Sequence, residues 1–417
     1  MEVQARCSNS SSGPACYEEA SDSVAVVVIP TVLVISSVVV VSLIFCSILR
    51  KRRISPLSFI GSSVQNTNKG QHCSSLGAEP LIPCGVREAL HPWEMPAEWD
   101  VDGVELLCTG SYGPVCGGWL AREGRSAAVV VKALRDPASP SEEREFAEWI
   151  LFHAKVCNNK SERLVRMLCC QAQRLPMYLV LEAHSPGNLL QFLWGLREKD
   201  SDKGPLHVSE RSVFLLATQV AEGLDYLLTE HRVVHGYVAA RNILIGPDLS
   251  ARVSGLGTAF AEHQTDRTTR ERPMEVPLKW LAPERITNQP AFHRSDVWSF
   301  GILLYELITS GSPPYPELEP QSVLPHLQSS YRMEQPEGCG APLYNLMKYC
   351  WIWSFKDRPT FSAIIKLLGS TLDLAATEAL PSQGLIDAAQ YNKIAGIHPH
   401  LWQLSPDSPI KQESSAC

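Results

Sequence analysis

Apolar and polar positions fall into distinct zones along the chain. Residues 23–49 form one uninterrupted apolar zone, rich in Val and without a charge, longer than the ~20 residues that cross a bilayer core. They predict a single transmembrane helix. Arg50-Lys51-Arg52-Arg53 follow directly, and the positive-inside rule then places residues 1–22 outside the cell and everything beyond residue 50 in the cytosol. From 54 onward Ser, Gly, Asn, Gln and Pro mix without helical or strand periodicity, so 50–97 predicts a flexible juxtamembrane linker. Strand-like runs follow at 104–107, 115–120 and 127–134, then a helical pattern at 142–154 and two more strands near 163–167 and 177–181. Beyond 188 the pattern is mainly helical. This order predicts an α+β domain over 98–371, a strand-rich half followed by a helical half. Residues 372–417 are polar and predict a loose tail.

Composition changes this picture little. The chain has 417 residues, 19% of them charged, and a formal net charge of −7. That suffices for one large folded domain with appendages and offers no basic face to nucleic acid, which is not expected as a partner. Residues 1–22 fall below the ~40 at which an unaided domain becomes feasible. Within them Asn9 heads the sequon Asn9-Ser10-Ser11, and Cys7 and Cys16 are available to pair with each other or to bridge two chains. The cytosolic thiols are expected to stay reduced.

The chemistry concentrates in five motifs. His235-Gly236-Tyr237-Val238-Ala239-Ala240-Arg241-Asn242 resembles the catalytic loop His-Arg-Asp-Leu-Ala-Ala-Arg-Asn. Cys108-Thr109-Gly110-Ser111-Tyr112-Gly113-Pro114-Val115 is similar to a phosphate-covering glycine-rich turn, with Cys108 at its first glycine. Val129-Val130-Val131-Lys132 resembles Val-Ala-Ile-Lys. Val276-Pro277-Leu278-Lys279-Trp280-Leu281-Ala282-Pro283-Glu284 resembles the substrate loop, and Ser295-Asp296-Val297-Trp298-Ser299-Phe300-Gly301 the central large-lobe helix. Together they identify 98–371 as resembling the receptor-type tyrosine protein kinase family.

That resemblance implies a bilobal protein-kinase fold, with ATP and Mg as cofactors. Lys132 would hold the phosphates, paired with Glu148 of the following helix, with Glu145 as the alternative. Gly110, Gly113, Val115, Val130 and Leu244 would enclose the nucleotide, Leu181 would be the gatekeeper, and Glu182 to His184 the hinge. Phe152, Leu256 and His235 would belong to an apolar column joining the lobes. Asp296 would hold the catalytic loop, and Arg358 would pair with Glu284. It further implies growth and survival signalling through MAP-kinase and PI3-kinase routes.

Two acids are missing. Tyr237 stands where the catalytic Asp is expected, and Gly255 in Val253-Ser254-Gly255-Leu256-Gly257 stands where the magnesium-binding Asp belongs. Asn242 remains as a metal ligand, but one neutral amide does not replace a carboxylate for a hard cation. A phenol with pKa ~10 is a poor base at neutral pH, and loss of general-base help costs ~10²- to 10⁴-fold. Gly236 also removes the Arg that would bind an activation-loop phosphate, and 258–275 contains no Tyr. Two readings follow: a catalytically impaired membrane pseudokinase acting by scaffolding or allostery on signalling kinases and adaptors, or a weakly active ATP-dependent tyrosine kinase. Tyr391 in the tail is the expected phosphotyrosine for an SH2 partner, since Tyr305 falls in an apolar helix and Tyr315 in a Pro-rich turn.

Overall fold

A computed structural model describes residues 82–158, 160–198, 208–263, 276–381 and 384–397. The predicted membrane span, Asn9 and most of the activation segment lie outside these residues. Among the described residues no helix is long and apolar enough to cross a membrane.

The chain enters through a short helix, α1 (Cys84–Leu90), and then builds an antiparallel sheet from β1 (Asp100–Thr109), β2 (Pro114–Arg122) and β3 (Arg125–Ala133). Helix α2 (Pro140–Val156) follows, then β4 (Met167–Gln171) and β5 (Tyr178–Glu182). The five strands order as β1-β2-β3-β5-β4. In β3 the register places Lys132 between Val115 and Leu179, and Val130 between Gly117 and Leu181. Because strand side chains alternate faces, Val130 and Lys132 share one face of the sheet while Val129 and Val131 are buried on the other.

Helix α2 starts where its sequence says it should. Ser139 accepts from Glu142 N–H at 3.2 Å while the Glu142 carboxylate accepts from Ser139 N–H at 2.9 Å, and Pro140 occupies the first turn. This reciprocal cap satisfies N–H groups that the first turn otherwise leaves unpaired.

The larger half is helical. After β6 (Gly187–Asn188) come α3 (Leu189–Glu198) and α4 (Glu210–His231), then the hairpin β7 (Ile243–Ile245) and β8 (Ala251–Val253). Next are α5 (Gly257–His263), α6 (Pro283–Ile286), the central α7 (Ser295–Ile308) and α8 (Val323–Gln328). The series closes with α9 (Ala341–Cys350), α10 (Phe361–Thr371) and α11 (Ala388–Ala395). Helix α7 is buried almost all round, as its continuous apolar run requires. Trp298 of this helix is fully buried, as are Trp280 and Trp351.

Two expectations fail at the edges of this domain. Residues 82–90 are not a featureless linker: α1 lies against α2, and Ile82 and Leu90 join the apolar core. Nor is the segment after α10 loose throughout, because α11 is folded and Tyr391, expected to be exposed, is 1% exposed. In both cases a few apolar side chains in a polar stretch find a groove on the domain, which local periodicity does not register.

Candidate functional site

The catalytic loop hangs from buried acids of α7. Asp296 accepts the backbone N–H groups of His235 at 2.6 Å and Gly236 at 2.8 Å, and the His235 ring donates from Nε2 to Ser254 O at 2.7 Å. Burial raises the pKa of Asp296, opposed by the neighbouring His235, whose own pKa burial lowers. In the last turn of the helix, Glu306 accepts Ala240 N–H at 2.9 Å and the Trp280 indole N–H at 3.0 Å. Burial pushes its pKa up to about 7. Below, Arg358 donates to both oxygens of Glu284 at 2.7 and 2.8 Å, and to the carbonyls of Ile352 and Trp353. Such a bidentate, charge-assisted fork satisfies a fully buried guanidinium.

At the lost acids the same loop is sealed. The Tyr237 ring stands edge-on to Trp280 with centroids 6.1 Å apart, and its hydroxyl is buried without a hydrogen-bond partner among the described residues. Burial pushes that phenol up to about 12, the opposite of what a general base needs. Asn242 donates its amide to Tyr237 O at 2.9 Å. Gly255 adopts φ +76°, and a Cβ there would lie 2.4 Å from Asn242 Oδ1. A carboxylate at 255 is therefore excluded in this conformation by the residue that would have been its fellow metal ligand.

Gly236 is likewise demanded by its surroundings. It adopts φ +80°, and a Cβ would meet Thr258 Cγ2 at 2.6 Å. Thr258 belongs to α5, whose Phe260 packs on Phe152 of α2 at 5.6 Å and whose His263 lies 5.9 Å from the same ring. Phe152, Leu256 and His235 are all buried, and the short helix α5 supplies an aromatic partner for Phe152 that the expected column did not include.

The phosphate end of the cleft departs furthest from expectation. Lys132 is half-buried with Nζ 5.5 Å from the Trp149 ring centroid. Burial lowers its pKa, and the groups opposing that shift are the thiols of Cys108 and Cys157. No ion pair joins it to Glu148 or Glu145 among the described residues. The expected Lys132–Glu148 pair is thus corrected: successive helical residues are rotated by about 100°, and it is Trp149 whose ring meets the ammonium, a cation–π contact. Glu145 instead accepts the Tyr112 hydroxyl at 2.9 Å. The Tyr112 ring lies 5.4 Å from Phe146 and 5.1 Å from Trp149, and Trp149 lies 4.4 Å from His153. Burial, aided by Lys132, drives His153 down to about 3, so this ring is neutral.

The glycine-rich turn closes on itself. Gly110 N–H donates to Gly113 O at 2.7 Å, and Arg135 N–H to Tyr112 O at 2.9 Å. The aromatic wall was legible in outline, since Phe146, Trp149, Ile150 and His153 fall at i, i+3, i+4, i+7 on α2. What pattern alone withheld was that Tyr112 would fold down to join it.

At the other end the cleft is conventional. Val115, Val130 and Leu244 are half-buried and Leu181 is buried opposite Val130. The Glu182 side chain turns away toward Arg166, His184 and Arg252, with contacts of 3.5, 3.2 and 3.2 Å. Burial alone would raise its pKa, but the bonds from His184 and Arg166 N–H and the charge of Arg252 outweigh this and hold it down. Surface hollows of about 410 Å³ beside Arg87 and Gln173, and about 140 Å³ between Asp225 and Phe361, lie away from these residues.

A catalytic Mg–ATP does not fit this donor set. No group of three or more His, Cys, Asp or Glu suited to a metal occurs among the described residues, and Asn242 offers one neutral amide oxygen where a carboxylate is needed. Magnesium takes near-octahedral oxygen ligands and is held through one or two carboxylates.

The two-lobed architecture, the Asp296-anchored loop and the Arg358–Glu284 fork define a protein-kinase domain. Residues 101–368 match the model of the protein tyrosine and serine/threonine kinase family, and the chain belongs to that family. It is similar to Tyrosine-protein kinase STYK1 of Homo sapiens, 38% identical over 314 residues that cover 74% of this chain and 73% of that protein. STYK1 of Mus musculus is 34% identical over 391 residues, 89% of this chain and 90% of that one. Fibroblast growth factor receptor homolog 1 of Drosophila melanogaster is 33% identical over 298 residues, 67% of this chain and 39% of that protein.

Proposed function

We propose that this chain is a single-pass membrane protein whose cytosolic kinase domain signals by binding protein partners, with phosphoryl transfer severely impaired. The observation that carries this reading is that two places where transfer needs an aspartate hold other chemistry: a buried phenol at Tyr237 and a glycine packed on Asn242 at Gly255. Transfer is catalysed almost entirely by positioning and charge, and both changes remove charge. Placement at the plasma membrane, with the N-terminus outside, rests on the apolar run 23–49 and the basic residues 50–53. The resemblance to receptor-type tyrosine kinases supports placing that scaffolding or allostery within growth and survival signalling.

The test uses the purified full-length chain. In a radiolabelled phosphoryl-transfer assay, incorporation is expected to equal that of Lys132→Ala; incorporation that disappears in Lys132→Ala sinks the proposal. Thermal unfolding with ATP should show no additional stabilisation on adding magnesium.

A weakly active tyrosine kinase is the second reading. Its support is the retained Lys132 and Asn242, and relatives whose names describe tyrosine-protein kinases.

A further inference from the structure

The segment after α10 makes contacts that a kinase domain's core does not require. Residues 372–381 run along the start of α4, where Ala376 N–H donates to Glu210 at 3.0 Å and Leu380 N–H to Val208 O at 2.9 Å. Arg197 of α3 then donates to Gly384 O at 2.8 Å. Helix α11 begins with Asp387 accepting Gln390 N–H at 2.7 Å. From its inner face the Tyr391 ring stands edge-on to Trp194 of α3 at 4.9 Å, and its hydroxyl donates to Glu306 of α7 at 3.4 Å. The guanidinium of Arg241, in the catalytic loop, lies against the same hydroxyl.

Glu306 therefore joins three segments. Its second oxygen already holds Ala240 of the catalytic loop and Trp280 of the loop that precedes Glu284. The tail thus sits on the carboxylate that organises the substrate-facing side of the large lobe. Its grip is narrow. Only Tyr391, Ala395 and Ile397 are buried in this stretch, while Leu385, Ala388, Ala389, Gln390 and Lys393 are exposed. A helix of 8 residues has little stability of its own and depends on such anchors.

We propose that α11 is a detachable intramolecular ligand of a tyrosine-binding groove formed by Trp194, Arg241 and Glu306, and that its release uncovers the groove and the Tyr391 ring together. The groove fits a short helix with one buried tyrosine, and its occupant is this chain's own residues 384–397. Nothing in this depends on whether the domain transfers phosphate. It also changes the role of Tyr391: while docked it is no ligand for an SH2 domain, and it becomes one only after release.

The experiment uses the full-length chain and a fluorescent synthetic peptide of residues 384–397. Tyr391→Ala in the chain weakens its own tail, so the peptide is expected to bind that variant at least about 10-fold tighter than the wild type, whose groove is filled. The same peptide carrying Tyr391→Ala should bind neither. Equal affinity for both chains, or none for a Tyr391→Ala chain that keeps its unfolding temperature, overturns the proposal. Amide exchange of the wild-type chain tests it without a variant: α11 must exchange well ahead of α7. If α11 is as protected as α7, or if Tyr391→Ala unfolds the domain, the helix is a permanent part of the large lobe and the proposal fails.

Discussion

The large-lobe lattice and the nucleotide cleft treat charge in opposite ways. Around α7, buried charged groups are held by fixed partners: Glu284 by Arg358, Asp296 by two backbone N–H groups, Glu306 by Ala240 and Trp280. In the cleft, Lys132 faces an indole and two thiols, and the two acids that would act on an external ligand are absent. A charge that holds the protein's own backbone leaves a stranded partner behind when it is lost. A charge whose partner is a bound nucleotide leaves nothing stranded, so its loss is compatible with an intact fold.

This contrast is sharpest at Arg358. Replacing it by Met leaves Glu284 buried and uncompensated, and is expected to cost about 3–5 kcal/mol in urea unfolding. A loss below about 1 kcal/mol would break the comparison.

Glu306 gives a pH signature. Its folded pKa of about 7 stands above the ordinary carboxyl value, so the folded chain binds more protons than the unfolded one between roughly pH 4 and 7. Its contribution is complete at the acid end and is lost as pH rises through about 7, by roughly 3 kcal/mol at most. Unfolding of Glu306→Gln followed against pH should lack that decline. Parallel profiles for the two chains would show that burial does not perturb this acid.

Gly255→Asp should destabilise by about 2 kcal/mol, from a positive φ and the overlap with Asn242. Adding Asn242→Gly should recover part of that loss in a thermal melt. Restoring acids at 237 and 255 therefore does not rebuild a kinase unless Asn242 also moves.

The smallest effect is expected at Lys132. With no ion pair from Lys132 to a carboxylate among the described residues, Lys132→Met should change stability by less than about 1 kcal/mol. A loss as large as that of Arg358→Met would mean the cleft is built like the lattice after all.

Much of the frame was readable from local patterns. The strand-like run at 127–134 marked β3, and the helical pattern at 142–154 marked α2 except for its first and last residues. The pairing of Arg358 with Glu284 was reached from the motif spelling, and the structure places them 2.7 Å apart. The partner of Lys132 was not reached, because the choice between Glu145, Glu148 and Trp149 turns on how α2 is rotated against the sheet. That rotation depends on Tyr112 and Phe260, which come from elsewhere in the chain. Tyr391 was misjudged because a helix of polar composition hides a single anchoring ring.

What the sequence by itself determined is the succession of strands and helices and the identity of the missing acids, since these are properties of short-range periodicity and of single positions. Only the tertiary structure decided that an indole faces Lys132, that Asn242 fills the space beside Gly255, and that the tail buries Tyr391 against Glu306. Each of these is a contact between segments distant in the chain, set by the packing that excludes water from all of them at once.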